Sequence, residues 1–238
     1  MAYDSGNRWT ARATMPQVGI DVGLRDYMLR VYNYMGAGLA ITGLVAYLGA
    51  ASGLYRAIFG TPLYWVVIFA PLGLVLLLSF RIQKMSLGAA QLTFWAYAGL
   101  VGLSLSGLFI VYTGASIAET FFITAATFAA MSLYGYTTRR DLARFGSFLL
   151  MGLIGVIIAS LVNLFLHSPG IQFAISVIGV LVFTGLTAWD TQRIKEMYWE
   201  GDGAVVTGKK AVMGALALYL DFINLFILMM QFMGQRRD

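Results

Sequence analysis

The chain has 238 residues, of which 59% are hydrophobic and only 11% charged, with 16 Lys and Arg against 11 Asp and Glu; its mean hydropathy is +0.77. A soluble domain carries about a quarter charged residues to face water, so this composition excludes a soluble globule. The absence of cysteine excludes disulfides, thiolate catalysis and Cys-based metal sites.

A net charge of +5 would suggest nucleic acid in a soluble protein. Here the basic residues sit in short connections between apolar runs and act as topology signals, so the expected surroundings are a lipid bilayer and no nucleic acid. The first thirty residues are polar and mixed in charge, with Arg8, Arg12, Asp21, Arg25, Asp26 and Arg30. They lack the apolar core of a cleavable signal peptide. They read as a cytoplasmic N-terminal arm over 1–30, leading into a transmembrane domain over 31–238.

A spanning helix needs about 20 mostly apolar residues. Seven segments qualify: 31–54, 63–80, 88–113, 119–137, 145–166, 171–190 and 211–233. The runs lack barrel-like alternation, and helices satisfy their own backbone groups in lipid, so the expected fold is all-α, a seven-transmembrane-helix bundle. Tyr27, Tyr32 and Tyr34 enter the first span. Tyr64 and Trp65 open the second, where Pro71 is expected to kink the helix. Gly99, Gly102 and Ser106 share one face of the third span, a packing face. Glu119 opens the fourth span, and Tyr134 and Tyr136 close it at headgroup level. The fifth repeats the small-residue face with Gly152, Gly155 and Ala159. The single histidine, His167, falls in a short connection before Pro169.

The last two spans carry the polar stripes. At 100° per residue, Ser176, Gly179, Phe183, Thr187 and Asp190 align on the sixth, whose end is ringed by Trp189, Tyr198 and Trp199. On the seventh, Gly214, Asp221, Asn224, Leu228 and Gln231 align. An ionisable residue at a helix centre costs about 2.5–3.5 kcal/mol to insert, which makes Asp221, expected near the midplane, the residue most in need of a functional reason. Asp190 is expected near the cytoplasmic edge, roughly 15 Å away in depth. Thr187, Asn224 and Gln231 are the candidate pore-lining residues.

Charge counting orients the bundle. The arm and the second-to-third, fourth-to-fifth and sixth-to-seventh connections hold 13 basic residues, and the opposite side holds three, Arg56, Arg236 and Arg237. By the positive-inside rule the N-terminus is cytoplasmic and the C-terminus faces outward. There is no phosphate-binding glycine motif, no zinc-type His cluster, no serine triad and no GxGD setting of an intramembrane aspartyl protease. Neither an enzymatic function nor a bound cofactor is expected.

Two segments resemble signature segments of the Bax inhibitor-1 family: Thr187-Ala188-Trp189-Asp190-Thr191-Gln192-Arg193-Ile194-Lys195 and Ala217-Leu218-Tyr219-Leu220-Asp221-Phe222-Ile223-Asn224-Leu225-Phe226. The seven-span layout is similar too, and the short N-terminal arm resembles that of bacterial members, which implies an inner-membrane location. The resemblance implies a calcium leak pathway controlled by pH, with Asp190 and Asp221 as its paired aspartates. An arginine near the second span acts as a latch in that family, and Arg81 is the nearest counterpart here. Two carboxylates in contact cannot both ionise cheaply, so the pair holds one proton. Losing that proton would drive the helices apart and leave anionic oxygens beside the path. Calcium takes six to eight oxygen ligands, so two aspartates offer the ion only a weak, transient site, as conduction requires. The alternative readings are a proton-coupled transporter of another solute and a regulatory protein that binds a membrane protease or another integral protein.

Overall fold

Helix boundaries in this chain follow cap residues more closely than they follow hydropathy. The computed structural model describes residues 21–237. It contains seven long helices: α1 (Val22–Ala51), α2 (Pro62–Arg81), α3 (Leu87–Leu105), α4 (Gly114–Thr137), α5 (Ala143–Leu166), α6 (Pro169–Glu196) and α7 (Ala204–Met233). All seven are long and apolar enough to cross a membrane, so the protein is an integral membrane protein built as an all-α bundle. Single turns at Leu54–Ile58 and Leu108–Val111 sit in the connections.

Asp21 accepts a hydrogen bond from the Leu24 N–H at 3.0 Å, so α1 starts nine residues before the apolar run at 31 and absorbs the end of the expected 1–30 arm. Residues 1–20, with Arg8 and Arg12, lie outside the described residues. Ser86, Thr113 and Ser168 cap α3, α4 and α6 in the same way, satisfying N–H groups that the first turn leaves free. The third span ends at Leu105 rather than 113, because the chain breaks at Ser106-Gly107 before its single turn. The sixth runs on to Glu196, and the seventh starts at Ala204 instead of 211. The connection between them, expected to be long, is only 197–203.

Helix α2 continues through Pro71. Proline has no N–H for the carbonyl four residues back, which is that of Val67. Ser104 Oγ on α3 donates to the Val67 oxygen at 3.0 Å and replaces the missing bond.

The order of packing is unusual for a chain read from its start. The last helix, α7, is the centre of the bundle, with α1, α3, α4 and α6 around it. Helix α2 packs chiefly on α3, and α5 chiefly on α6. The principal contacts therefore divide the outer helices into two three-helix groups, α1–α3 and α4–α6, joined through α7. Close approaches use part of each small-residue face. A Cβ on Gly102 would stand 2.6 Å from the Thr42 carbonyl and one on Gly152 2.9 Å from Val182, whereas Gly99 and Gly155 meet nothing. At one end of the bundle lie the start of α1 and the α2–α3, α4–α5 and α6–α7 connections. There the Lys195 Nζ donates to Tyr136 O at 2.8 Å, Lys209 Nζ to Gln83 O at 3.1 Å and Lys210 Nζ to Met197 O at 2.8 Å.

Candidate functional site

Between α2 and α5 the two groups leave a seam, with α6 and α7 as its floor. It encloses a cavity of about 870 Å³. Its lining on α6 runs from Gln172 to Arg193, about 30 Å at 1.5 Å per residue, a distance equal to the hydrocarbon thickness. The walls are apolar, with Leu72 on one side and Leu153, Val156, Ile157 and Leu161 on the other. The floor carries the polar groups: Arg193, Asp190, Asp221, Asn224, Gln172 and Gln231.

The antiparallel register of α6 and α7 brings the two acids together. Gly214 lies beside Ile194, and Gly179 beside Leu228, while Ser176 Oγ donates to Gln231 Oε1 at 3.3 Å. In this register Asp190 faces residues 217–218, and Asp221 lies one turn further in, about 5 Å along the axis. The separation of 15 Å in depth expected from hydropathy is therefore corrected. Helix α6 runs six residues past Asp190, and its end lies opposite 211–212, where hydropathy starts the seventh span, so ending the sixth span at 190 placed Asp190 too close to the edge. The carboxyl groups are within hydrogen-bonding reach of each other. Asp221 is 4% exposed, and its Oδ2 has no hydrogen-bond partner among the described residues. Arg193, one turn beyond Asp190, bears on it as the nearby positive charge and stacks over Trp189 at 5.5 Å from the ring centroid.

Asn224 and Gln231 line the cavity with Asp221. Asn224 Nδ2 donates to Leu220 O at 2.8 Å. At the end of the cavity away from the acids Gln172 Nε2 donates to Gln231 Oε1 at 2.6 Å, and Asn163 Nδ2 to Gln172 Oε1 at 3.1 Å. Thr187, expected to line the path, does not. It is fully buried, its hydroxyl donates back to Phe183 O at 2.8 Å, and it points into the packed interior because α6 is covered by α4 and α7 on that face. Arg81 is not brought to the acids either. It is exposed at the end of α2 and makes no ion pair among the described residues. The arginine at the acids is Arg193.

Most of the segment around Asp190 anchors α6. Thr191 Oγ1 shares a hydrogen bond with Ser132 Oγ at 3.0 Å, and Ser132 another with Tyr32 OH at 2.6 Å. Gln192 accepts from Leu142 N at 2.8 Å and donates to Arg140 O at 2.9 Å. A side chain on Gly146 would run into the Trp189 ring. These residues hold α6 to α4 and to the start of α5, so Asp190 is presented from a fixed support. Among the described residues no group of three or more His, Cys, Asp or Glu converges as a metal site.

An integral membrane bundle with two facing acids on its last two spans, inside a cavity as deep as the bilayer core, is the class that these features define. The chain belongs to the Bax inhibitor-1 family. Residues 24–238 match the family described as inhibitor of apoptosis-promoting Bax1. A protein of Rickettsia prowazekii is 52% identical over 230 residues, covering 96% of this chain and 98% of that protein. The inner membrane protein YbhL of Escherichia coli is 48% identical over 219 residues, covering 90% and 94%. A protein of Caulobacter vibrioides is 45% identical over 250 residues, covering 98% of each.

Proposed function

We propose that the protein is a pH-sensitive calcium leak channel of a bacterial inner membrane, with Asp190 and Asp221 as its gate. The observation that carries this reading is the juxtaposition of the two acids in a cavity as deep as the hydrocarbon core. The charged groups facing that cavity are Asp190, Asp221 and Arg193. The inner-membrane location follows YbhL, which is named as an inner membrane protein. The cytoplasmic N-terminus follows the positive-inside rule, supported by the clustering of basic connections at one end of the bundle.

With one proton shared, the carboxyl groups form a hydrogen-bonded link of one net negative charge between α6 and α7, which the nearby Arg193 offsets. Loss of that proton leaves two anions in low dielectric, whose repulsion separates the helices. The exposed oxygens then line the path together with Asn224. Two carboxylates and an amide fall short of calcium's six to eight ligands, so the ion passes through without being stored. Arg193, in place of Arg81, serves as the restraining cation. The sign is fixed by this scheme: flux rises with pH. The test is calcium flux into proteoliposomes between about pH 6 and 8, with wild type, Asp190→Asn and Asp221→Asn compared. Each amide variant is expected to lose the pH response. A pH response unchanged in both variants, or no flux in wild type, overturns the assignment.

A further inference from the structure

The cavity is built for more than an ion. A bare cation needs converging oxygens, yet most of the 870 Å³ space is walled by side chains such as Leu72, Leu153, Val156, Ile157 and Leu161. Ligand sites for organic molecules have volumes of about 300–1,000 Å³, with mainly apolar walls and a few polar groups that fix orientation. This cavity is also long and narrow. Spread along about 30 Å of helix, its 870 Å³ suits an extended chain better than a compact solute.

The polar groups define the head of that chain. Asp190 has the positive charge of Arg193 nearby, without a direct ion pair among the described residues, and Arg193 is held on Trp189. Asp221 Oδ2 is buried and has no partner among the described residues, although a buried acceptor left unmatched costs about 1–3 kcal/mol. Asn224 lies about one turn away on the same face and lines the cavity, with its Nδ2 engaged by Leu220 O. Once the proton that the proposed gate shares with Asp190 is lost, an anion and a neutral acceptor side by side call for a cation that carries N–H donors. The geometry points to a binding site for amphipathic primary amines, with the ammonium at the Asp221 carboxyl and the Asn224 amide and the alkyl tail along the α5 wall. The seam between α2 and α5 gives such a molecule a lateral way in from the bilayer, where it concentrates.

The test uses the full chain in lipid nanodiscs, without calcium or a gradient, titrated calorimetrically against empty nanodiscs. The probes are n-octylammonium, ethylammonium, octyltrimethylammonium and octyl sulfate. Saturable binding is expected for octylammonium. It should be weaker by roughly tenfold for ethylammonium, which lacks the tail, and for octyltrimethylammonium, which lacks N–H donors. Octyl sulfate should only partition into lipid. Asp221→Asn should weaken octylammonium binding by roughly tenfold. Ile157→Trp, which fills the tail space and leaves the acids in place, should reduce octylammonium to the level of ethylammonium without affecting the latter. Equal binding of octyl sulfate, indifference to tail length, or no effect of either substitution overturns the site. Amine binding in a protein that shows no calcium flux would retain this site and remove the leak. Flux without amine binding would do the reverse.

Discussion

Asp221 is buried in the central helix, with Oδ2 unmatched and its carboxyl group within reach of Asp190. Structural needs alone would favour an amide, which supplies an N–H donor to Asp190 and carries no charge to desolvate. Asp221→Asn is therefore expected to raise the unfolding temperature in detergent, by the equivalent of about 1 kcal/mol, while it removes the pH response of flux. A lower unfolding temperature would mean that the acid is there for stability. The conflict between local energetics and residue choice is also why this position was legible in the sequence: a carboxyl deep in an apolar run has few bland explanations. Asn224 and Gln231 were legible by helical periodicity. Thr187 satisfied the same periodicity yet faces the interior, because a stripe drawn at 100° per residue does not say which neighbour it meets. Arg193 was hidden for the opposite reason. A basic residue at a span's end reads as a topology signal, and its stacking on Trp189 depends on three-dimensional placement.

At the scale of the helix, Pro71 and Ser104 illustrate a dependence between elements that neither local sequence announces. Ser104→Ala leaves the Val67 carbonyl without its donor in a low-dielectric setting and is expected to cost about 1 kcal/mol. Pro71→Ala restores the N–H within α2 and removes the need. In a double-mutant cycle followed by unfolding in mild detergent, the cost of Ser104→Ala should largely vanish in the Pro71→Ala background. Additive effects would show that the hydroxyl acts elsewhere, for instance through its second bond to Leu100 O at 3.0 Å. Spans were legible as apolar runs to within a few residues at most ends. The exceptions are the starts of α1 and α7 and the end of α6, where polar turns remain helical beyond the apolar run, and the end of α3, where the helix stops at Ser106-Gly107 inside one.

At the scale of the whole molecule, two seams separate the three-helix groups. The seam between α2 and α5 has a polar floor. The one between α1 and α4 holds two apolar cavities of about 580 and 300 Å³ that share Leu39, Phe121 and Phe222. The sequence does not reveal this arrangement. In lipid, outward-facing and inward-facing positions are both apolar, so hydropathy marks the peripheral α2 and α5 but does not find the centre: α6 and α7 have windows of equal hydropathy, 44% and 72% buried. Orientation can be checked directly because the chain has no cysteine. Ser52→Cys, in the α1–α2 connection, is expected to react with a membrane-impermeant maleimide in intact cells. Gln83→Cys, in the α2–α3 connection, is expected to react only in inverted vesicles. The opposite pattern would reverse the direction of the proposed leak.

The central position of the last span also constrains how the protein is made. Helices α1–α3 and α4–α6 emerge from the ribosome as two groups whose shared packing partner has yet to be synthesised. Until α7 inserts, the surfaces that will enclose it remain open to lipid or to the insertion machinery, and neither seam has its floor. The helix that bears Asp221 thus closes the bundle of the first six and creates the cavity in the same step. No earlier intermediate holds both acids, so no partly synthesised chain carries a membrane leak of this kind.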